Sequence, residues 1–422
     1  MTLSLASADR PLQGRVTLPG DKSLAHRAAL FAALAEGTST VRNYPDSGVT
    51  RAMRGALGSL GVPSRLEGGV LTLAGNGLRP FPHSGAVAEC GNSATTIRLL
   101  AGAVAATRSS AVLDGSAGLR KRPMNRIADP LRLMGAAIST TDGHAPLTLA
   151  PAPLHGVDYT LPVASAQVKS CLELAALGAD APVTLHEPGP SRDHTARMLR
   201  AMGATVVSAG LTETVHPASA LHPLDGTLPG DISSAAFLLA AAAIVPGSRI
   251  TVADVGLNPT RTGVLDVLSA MGARVSTMNE RVEFGEPIGD VTLEAAPLHG
   301  VEIAGDLVVR SIDEFPALAA VAAFAEGDTA VRGAEELRYK ETDRIAAIVA
   351  QLGALGADVA EHPDGFTVRG GTLTGGTARA NGDHRLAMSM AVCGLRAPVS
   401  VEGAEILNES FPEFEPLLAS LM

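Results

Sequence analysis

The sequence predicts an α/β fold of two lobes, each built from three βαβαββ-like repeats, and three observations support this. The chain aligns on itself with a period of about 70 residues, which makes six repeats. The tetrapeptide LPGD occurs twice, starting at Leu18 and at Leu228, three repeats apart. Each repeat combines a strand-like segment, an Ala- and Leu-rich helix, a second helix that ends at glycine, and a hairpin of alternating residues.

The repeats are defined by where their helices begin and end. Glycine suits the end of the second helix because it adopts the left-handed conformation there at little cost. Strand pairs are predicted behind these glycines, for example over residues 282–295 and 362–375. The first helices are predicted to begin near Lys22, Asn92, Ser165, Ser233, Asp313 and His384. The second helices are predicted to end at SLG (59–61), LMG (133–135), AMG (201–203), AMG (270–272) and QLG (351–353), and the sixth lies in FPEFEPLLASLM (411–422).

The two LPGD segments predict the domain boundaries. Each lies where the chain passes from one half of the repeats to the other, so we expect a hinge near residues 18–21 and 227–231. The N-terminal strand is expected to complete the second half of the repeats. One lobe is therefore predicted to combine residues 1–18 with 228–422, and the other to span residues 19–227.

Composition restricts the class of function. The formal net charge of −10 disfavours a nucleic acid or an acidic membrane as the main partner, and no apolar run is long enough to span a bilayer. The start of the chain does not have the pattern of a signal peptide, and the three cysteines show neither disulfide nor zinc-site spacing. We therefore expect a cytoplasmic protein that uses no metal and no cofactor and acts as a monomer.

Polar and charged residues cluster where the first helices begin. A helix N-terminus presents unpaired N–H donors and the positive end of the helix dipole, and it therefore favours anions. Five of the six repeats place charge there, whereas the fourth, GDISSAAF (230–237), keeps the capping residues without a cation. Taken singly, each Ser, Asp or Asn at such a position is equally explained as an N-cap. Only the set as a whole indicates a cleft for multiply charged anions.

Several kinds of site are excluded by the motifs. The chain has no GxxxxGK(S/T) phosphate loop, no GxSxG nucleophile elbow and no HExxH segment or cluster of metal ligands. The residues favour an enzyme of two lobes that closes on small phosphorylated or carboxylated substrates. Proton transfer in such a site would be performed by Asp313, Glu341 or His384, without a metal.

Ten ordered segments distribute these residues along the chain. They are LPGDKSLAHRAALFAALAEG, GNSATTIRLL, RKRPM, SAQVKS, SRDHT, PGDISSAAF, DEFP, KETDR, DHRLAM and SFPEF. Through them the sequence resembles the enolpyruvyl transferases, and among these the EPSP synthases (3-phosphoshikimate 1-carboxyvinyltransferases), over essentially its whole length. One such segment alone would be a weak signal, but ten in the same order are highly specific.

The resemblance implies both a fold and a reaction. The implied enolpyruvyl transferase fold has two lobes, each with three repeats around a pseudo-threefold axis, that close on substrate. The implied reaction transfers the enolpyruvyl group of phosphoenolpyruvate to the 5-hydroxyl of shikimate 3-phosphate and releases phosphate, in the shikimate pathway of aromatic amino-acid biosynthesis. Each of these two small molecules carries a phosphate and a carboxylate, which planar arginine side chains bind with two parallel hydrogen bonds.

The resemblance also assigns residues, position by position. Asp313, Glu341 and Lys22 match the catalytic groups, the two carboxylates exchanging protons with the 5-hydroxyl and the methylene carbon. The matches to the shikimate 3-phosphate contacts are Lys22, Ser23, Arg27, Ser165, Gln167, Ser191, Asp313 and Lys340. The matches to the phosphoenolpyruvate contacts are Lys22, Ala94, Arg122, Gln167, Arg344 and Arg385.

Three positions depart from the family pattern. Ala94 stands where the family's NAGT segment has glycine. Glu409 precedes the SFP block where many members have lysine, which puts one phosphoenolpyruvate-site cation in doubt. Ala166 stands where some members have a second serine, a loss of at most one hydroxyl contact.

Two alternatives stay open beside this assignment. The sister enolpyruvyl transferase that acts on UDP-N-acetylglucosamine typically has a reactive cysteine in the loop where this chain has Ala117. A non-catalytic anion-binding or RNA-binding protein of the same fold would lose the acid–base pair, yet Asp313 and Glu341 are both present. With 3% aromatic residues, the chain also lacks the stacking surfaces expected for single-stranded RNA.

Ala94 predicts weak inhibition by glyphosate, which competes with phosphoenolpyruvate in this family. The alanine methyl group replaces a hydrogen where glyphosate would lie. Because glyphosate is the longer molecule, we expect it to be excluded while phosphoenolpyruvate still binds. An inhibition assay at varied phosphoenolpyruvate concentration tests this, and strong inhibition by low micromolar glyphosate contradicts it.

Overall fold

The computed structural model describes the whole chain, residues 1–422, as a mixed α/β structure. None of its helices combines the length and the apolar character that a membrane span requires. The first part of the chain forms β1 (Thr2–Leu3), β2 (Gln13–Thr17), α1 (Lys22–Leu34), β3 (Glu36–Arg42), α2 (Gly48–Ser59), β4 (Ser64–Glu67), β5 (Val70–Asn76), β6 (Ala86–Glu89), α3 (Ala94–Ala106), β7 (Ala111–Asp114), α4 (Asn125–Leu133), β8 (Ala137–Thr141), β9 (His144–Ala150), β10 (Asp158–Thr160), α5 (Ala166–Ala176), β11 (Val183–His186), α6 (His194–Ala201), β12 (Val206–Ala209), β13 (Thr212–Val215) and β14 (Asp225–Thr227).

The second part follows a similar succession of helices and strands. It forms α7 (Ile232–Ile244), β15 (Arg249–Gly256), α8 (Gly263–Ala270), β16 (Arg274–Glu283), β17 (Glu286–Glu294), β18 (Glu302–Ile303), α9 (Asp306–Arg310), α10 (Phe315–Ala322), β19 (Asp328–Val331), α11 (Arg344–Ala354), β20 (Asp358–His362), β21 (Gly365–Arg369), β22 (Gly376–Arg379), α12 (His384–Cys393), β23 (Val399–Glu402) and α13 (Phe414–Ala419). It differs by an additional short helix (α9) before α10 and by having no hairpin after α13.

Six small sheets confirm the predicted repeat. In each sheet the first two strands of the order given below run parallel. The remaining pairs of neighbouring strands whose register is defined run antiparallel, as a βαβαββ order requires. The orders are β14-β3-β5-β4, β6-β7-β9-β8, β10-β11-β13-β12, β2-β15-β17-β16, β18-β19-β21-β20 and β22-β23-β1.

The chain forms two compact units. Unit 1 contains Met1–Leu18, Gly230–Arg281 and Pro287–Met422, and unit 2 contains Pro19–Pro229 and Val282–Glu286. In both units a distant part of the chain supplies the first strand of a repeat. β14 pairs with β3 in unit 2, and the N-terminal strand β2 pairs with β15 in unit 1.

A short excursion of the chain joins unit 2 in a way that the sequence did not predict. The strands β16 and β17 belong to a sheet of unit 1, but their turn, Val282–Glu286, belongs to unit 2. Phe284 packs against the hydrophobic core of unit 2, and Glu286 Oε1 lies 2.8 Å from Nδ1 of the buried His194. Burial of an aromatic ring and of this polar pair places the turn in unit 2.

The first helix of each repeat is buried on nearly all sides. In α12 all ten residues are buried, and in α7 all but one. A helix covered all round has no polar face, which explains why these segments are rich in alanine and leucine. Small side chains also allow close packing: a Cβ added at Gly102 of α3 would lie 2.1 Å from the backbone oxygen of Cys171 in α5. The two helix backbones are therefore in contact.

The helix starts and ends agree with the predictions except in the fifth repeat. Gly61, Gly135, Gly203 and Gly272 all have positive φ just beyond the second helix, as predicted. The helix predicted to end in QLG (351–353) instead continues to Ala354, and Gly356 is the residue with positive φ. The sequence QLGALG offers two glycines, and the hydrogen bonds of the last turn select the second.

Both predicted strand pairs start earlier than the sequence suggested. The first hairpin begins at Arg274 rather than Val282, and the second begins at Asp358 rather than His362. The segment 370–375, predicted as strand, has no strand structure. In both cases the predicted start falls near the turn of the hairpin, because alternation alone does not specify register.

Gly102→Ala should destabilise unit 2 more than an ordinary glycine substitution. The new methyl group would overlap a backbone oxygen, and overpacking of this kind costs about 1–3 kcal/mol. For a unit of this size we expect the thermal unfolding midpoint to fall by about 2 °C or more.

Gly58→Ala in helix α2 is the matched control, because nothing lies within 4 Å of its added Cβ. Alanine in an open helical position is favourable by about 0.5–1 kcal/mol, so this midpoint should stay level or rise. Equal shifts in the two variants, measured by circular dichroism on heating, would show that the approach of α3 to α5 is not tight.

Candidate active site

The predicted residues fall into two sets, one in each compact unit. Unit 2 places them at the starts of α1, α3 and α5 and in the loops before α4 and α6, and unit 1 places them around the starts of α10, α11 and α12. The set in unit 2 is Lys22, Ser23, Arg27, Ala94, Arg122, Ser165, Gln167 and Ser191. The set in unit 1 is Asp313, Lys340, Glu341, Arg344 and Arg385.

Side-chain caps explain why the helices start where they do. Asp21 Oδ1 accepts a hydrogen bond from Leu24 N at 2.9 Å, and Ser93 Oγ accepts one from Thr96 N at 3.1 Å. Asp383 Oδ1 accepts one from Arg385 N at 2.9 Å. In these helices the residue before the site serves as the N-cap, which satisfies an otherwise unpaired amide.

Ser165 differs from these capping residues. It occupies the N-cap position of α5, but its side chain makes no capping hydrogen bond to the helix. The explanation of this serine as a plain N-cap, which the sequence left open, therefore does not apply.

Arg27 is held inside unit 2 by three hydrogen bonds. Its Nε donates to Thr195 Oγ1 at 2.8 Å, its Nη2 to Ser170 Oγ at 2.8 Å and its Nη1 to the backbone oxygen of Ser23 at 3.0 Å. Burial lowers the pKa of Arg27 to about 10. The guanidinium therefore stays charged at neutral pH, and α1, α5 and α6 together fix its orientation.

His26 links the starts of α1 and α3, a role that the sequence analysis missed. Its Nδ1 lies 2.6 Å from the backbone oxygen of Lys22, and its Nε2 lies 3.1 Å from Ser93 Oγ. Burial lowers the pKa of His26 to about 4, so the ring is neutral at neutral pH. The only feature of the sequence that could have indicated this role is the position of His26 directly before Arg27 in LAHR. In the structure the side chain is buried.

Gln167 is oriented by the neighbouring helix α3. Its Oε1 accepts from Arg98 Nη1 at 2.5 Å, and its Nε2 donates to Thr95 Oγ1 at 3.0 Å. Arg98 Nη2 also donates to the backbone oxygen of Pro123 at 3.1 Å, next to Arg122. Arg98 thus ties the second and third repeats together beside two predicted contact residues.

The other predicted site residues of unit 2 lie at helix starts or in the loops that precede helices. Lys22 and Ser23 form the first turn of α1, and Ala94, which is buried, is the first residue of α3. Arg122 ends a short 3-10 turn, Leu119–Lys121, that leads into α4. Ser191 is buried in the loop before α6, and its hydroxyl donates to Glu187 Oε1.

Arg344 joins the candidate acid–base residues of unit 1. Its side chain is 1% exposed, and three carboxylates surround it. Nε lies 2.7 Å from Asp383 Oδ2, Nη2 lies 2.7 Å from Glu341 Oε2, and Nη1 lies 3.1 Å from Asp313 Oδ1. Burial alone would lower the pKa of Arg344, but the carboxylates outweigh that effect and raise it. The guanidinium is permanently charged and orients both Asp313 and Glu341.

Arg385 extends this cluster along α12. Its Nη1 donates to the backbone oxygen of Asp313 at 3.0 Å and lies 3.8 Å from Glu314 Oε1. Asp383 meanwhile caps the helix through Oδ1 and binds Arg344 through Oδ2. Burial opposes its ionisation, but the Arg344 guanidinium outweighs that effect and lowers the pKa of Asp383.

The fourth repeat has a cation at its helix start after all, which corrects the sequence prediction. Arg261 Nη2 donates to Ser233 Oγ at 2.7 Å, and the Ser233 hydroxyl donates to the buried Glu314. Arg261 lies 28 positions from Ser233 along the chain, so inspection of the helix start alone missed it.

Three further residues of unit 1 lie at the start or end of a helix or short turn. His384 is the first residue of α12 and is buried beside Asp383. Lys340 ends a short 3-10 turn, Glu335–Tyr339, and precedes Glu341. Glu409 is exposed at the end of another short turn and has no visible role.

The cysteines lack the properties of reactive thiols. Cys90, Cys171 and Cys393 are all buried and unpaired. Burial raises the pKa of Cys171 and of Cys393 to about 12, and it raises that of Cys90 further. Ala117, at the position of the reactive cysteine in the sister family, is exposed. A thiolate nucleophile is therefore not available to this chain.

Comparisons with known proteins agree on one family. The sequence model of the family described as EPSP synthase (3-phosphoshikimate 1-carboxyvinyltransferase) matches residues 7–418. A curated 3-phosphoshikimate 1-carboxyvinyltransferase from Syntrophomonas wolfei is 45% identical over 421 residues, 98% of either chain. Another, from Roseiflexus castenholzii, is 48% identical over 416 residues, 96% of either chain.

Solved structures give the same result. An EPSP synthase from Acinetobacter baumannii superposes with a TM-score of 0.90 at 40% identity, covering 100% of this chain and 98% of that one. The enolpyruvyl transferase NikO from Streptomyces tendae has a TM-score of 0.79 at 22% identity, covering 100% and 97%. The second likeness concerns the fold alone.

One buried carboxyl near Arg27 receives no hydrogen bond from an N–H or hydroxyl donor. Both side-chain oxygens of Glu173, on α5, are buried without such a donor, and the carboxyl group of Glu213 lies beside it. Burial raises the pKa of Glu173 well above its ordinary value, and the nearby Glu213 carboxylate adds to that effect. The folded protein therefore holds a proton at Glu173 that the unfolded chain releases at lower pH.

Glu173→Gln should make stability less dependent on pH. A raised acid pKa stabilises the folded state below the unfolded value, and that contribution is lost as pH rises through the folded value. The parent therefore loses this contribution as the pH rises from about 5 to about 9, whereas the variant has no titrating group at this position. The unfolding midpoint of the variant should rise relative to that of the parent over this range.

Glu89→Gln, at an exposed position of the same unit, serves as the control and should follow the parent curve. Parallel curves for all three proteins, measured by thermal unfolding across this range, would contradict the protonated state of Glu173.

Proposed function

Because this chain belongs to the EPSP synthase (3-phosphoshikimate 1-carboxyvinyltransferase) family, we propose that Asp313, Glu341 and Lys22 perform its chemistry. The enzyme transfers the enolpyruvyl group of phosphoenolpyruvate to the 5-hydroxyl of shikimate 3-phosphate, giving 5-enolpyruvylshikimate 3-phosphate and phosphate. The observation that carries the proposal is the bridge that Arg344 forms between Asp313 and Glu341.

The reaction needs proton transfer at two atoms. As the 5-hydroxyl oxygen adds to C2 of phosphoenolpyruvate, its proton must leave, and C3 must gain a proton to become a methyl group. Loss of phosphate from C2 and of one proton from C3 then restores the double bond. Asp313 and Glu341 are proposed as the groups that exchange these protons, and Lys22 as a cation that stabilises the developing charge.

Arg344 is proposed to change partners when substrate binds. A guanidinium has five N–H donors, and three of its nitrogen positions already contact carboxylates in this structure. The anionic groups of phosphoenolpyruvate would compete for it and weaken its bonds to Asp313 and Glu341. A carboxylate that loses its cation becomes a stronger base, so binding of the substrate would prepare the proton-transfer groups.

The remaining assignments follow the charges of the substrates. Arg122 and Arg385, with Arg344, Lys22, Gln167 and the backbone at Ala94, are proposed to hold phosphoenolpyruvate. The proposed contacts to shikimate 3-phosphate are Lys22, Ser23, Arg27, Ser165, Gln167, Ser191, Asp313 and Lys340. The orientation of Arg27 and Gln167 by neighbouring helices supports their part, since binding then costs little side-chain ordering.

The sister reaction on UDP-N-acetylglucosamine is not favoured, because the relatives carry the other name and the chain has no reactive thiol. We further propose that the enzyme acts in the cytoplasm as a monomer divided into the lobes 1–18 with 228–422 and 19–227, except that the excursion Val282–Glu286 joins the second of these lobes. The three buried, unpaired cysteines suit a reducing compartment.

Asp313→Ala should abolish most of the activity. Loss of a proton-transfer group costs about 10²–10⁴-fold in rate, so we expect kcat to fall at least about 100-fold. Phosphate release from phosphoenolpyruvate plus shikimate 3-phosphate measures this. Asp306→Ala, an exposed residue of α9 in the same unit, is the control and should keep parental activity.

Two results would overturn the assignment. Parental activity in Asp313→Ala removes that residue from the chemistry. Phosphate release with UDP-N-acetylglucosamine, but none with shikimate 3-phosphate, would contradict the family's reaction for this chain.

A further inference from the structure

Ser191 donates its only hydroxyl hydrogen to a hydrogen bond with Glu187. The hydroxyl donates to Glu187 Oε1 within unit 2, and Ser191 is 6% exposed. Glu187 follows strand β11, where its backbone N–H donates to the oxygen of Leu211 at 2.9 Å. The backbone of Glu187 is therefore fixed to the sheet, and its carboxylate oxygen Oε1 accepts from the serine hydroxyl.

This hydrogen bond conflicts with the proposed part of Ser191 in binding. A serine hydroxyl has one O–H to donate, and a phosphate offers only acceptors at its ionised oxygens. While Ser191 donates to Glu187, it presents lone pairs to a ligand and would repel a phosphate oxygen. Binding must therefore turn the hydroxyl hydrogen from Glu187 to the phosphate.

Lys169 makes that exchange possible. Its Nζ lies 2.6 Å from Glu187 Oε2, and the two side chains are 3% and 7% exposed. A buried carboxylate without a partner is costly, but an ammonium group at this distance compensates its charge after the serine has turned away. Burial alone would lower the pKa of Lys169, but the carboxylates of Glu187 and Glu213 outweigh that effect and raise it, so the ammonium group stays charged.

We propose that Glu187 is a positioning residue that sets the affinity of the enzyme for shikimate 3-phosphate. It holds the hydrogen of Ser191 in the unliganded protein and releases it to the phosphate, while Lys169 neutralises the carboxylate left behind. This inference rests on the proposed contact of Ser191 with shikimate 3-phosphate, and it assigns that contact to the phosphate group. Since Ser191 is not among the residues assigned to phosphoenolpyruvate, the effect is confined to one substrate.

Glu187→Gln separates this role from a structural one. The carboxamide keeps the shape of the side chain, its oxygen still accepts from Lys169, and its NH₂ group donates to Ser191 Oγ. The hydrogen of Ser191 is then available to the phosphate before binding. One net hydrogen bond is worth about 0.5–1.5 kcal/mol, so the KM and the Kd for shikimate 3-phosphate should fall about twofold to twelvefold.

The test is a double-mutant cycle on the full-length enzyme. Steady-state kinetics and calorimetric binding of shikimate 3-phosphate are measured for the parent, Glu187→Gln, Ser191→Ala and the double variant, with thermal unfolding to show that each is folded. We expect Glu187→Gln to lower KM for shikimate 3-phosphate only, with kcat and the KM for phosphoenolpyruvate changed less than about twofold. We expect Ser191→Ala to raise KM for shikimate 3-phosphate and to remove the effect of the second substitution.

Each other outcome overturns a distinct claim. If Ser191→Ala raises KM for shikimate 3-phosphate but Glu187→Gln leaves it unchanged or raises it, the inference is wrong and the serine contact stands. If Ser191→Ala changes nothing, both the contact and the inference are wrong. If Glu187→Gln alters both KM values and lowers the unfolding midpoint, Glu187 only supports the structure.

Discussion

The arrangement of this enzyme depends on how closely its buried helices pack. At Gly102 the backbone of α3 is in contact with that of α5, and Gly178 allows an equally close approach at Ala106. Helices held this close have their N-termini side by side, so Gln167 reaches both Thr95 and Arg98. The polar ends of the repeats are therefore positioned by an apolar constraint, and the alanine content of the first helices is a requirement of the site as much as of the core.

The two units compensate their buried arginines in different ways. Arg27 is held by two hydroxyl groups and a backbone oxygen, none of which is negatively charged, so it keeps its attraction for anions. Arg344 instead contacts three carboxylates, which cancel its charge and need it as their own partner. In the proposed site, a substrate anion would add a partner to Arg27, whereas it would have to compete with the carboxylates for Arg344. The orientation and charge of Asp313 and Glu341, the proposed proton-transfer groups, are thus tied to the guanidinium that is also proposed to bind phosphoenolpyruvate.

Local signals predicted much of the fold and part of the site. Helix starts at Lys22 and His384 agree with the structure because capping residues act within one turn. The signal was ambiguous at QLGALG (351–356), where two glycines compete for one helix end. Arg261, His26 and Glu187 were missed as members of the polar clusters, since their partners Ser233, Ser93 and Ser191 lie on other elements or in an irregular loop.

The sequence by itself determined the six repeats, the glycine-terminated helices, the family and the residue types that suit two phosphorylated, carboxylated substrates. These follow from spacing and local backbone preference, which act over a few residues. Only the tertiary structure decided that Val282–Glu286 joins unit 2, that Arg344 holds Asp313, Glu341 and Asp383, and that Ser191 donates to Glu187. Burial and charge compensation select these contacts among distant residues, and no local pattern encodes which buried partners will meet.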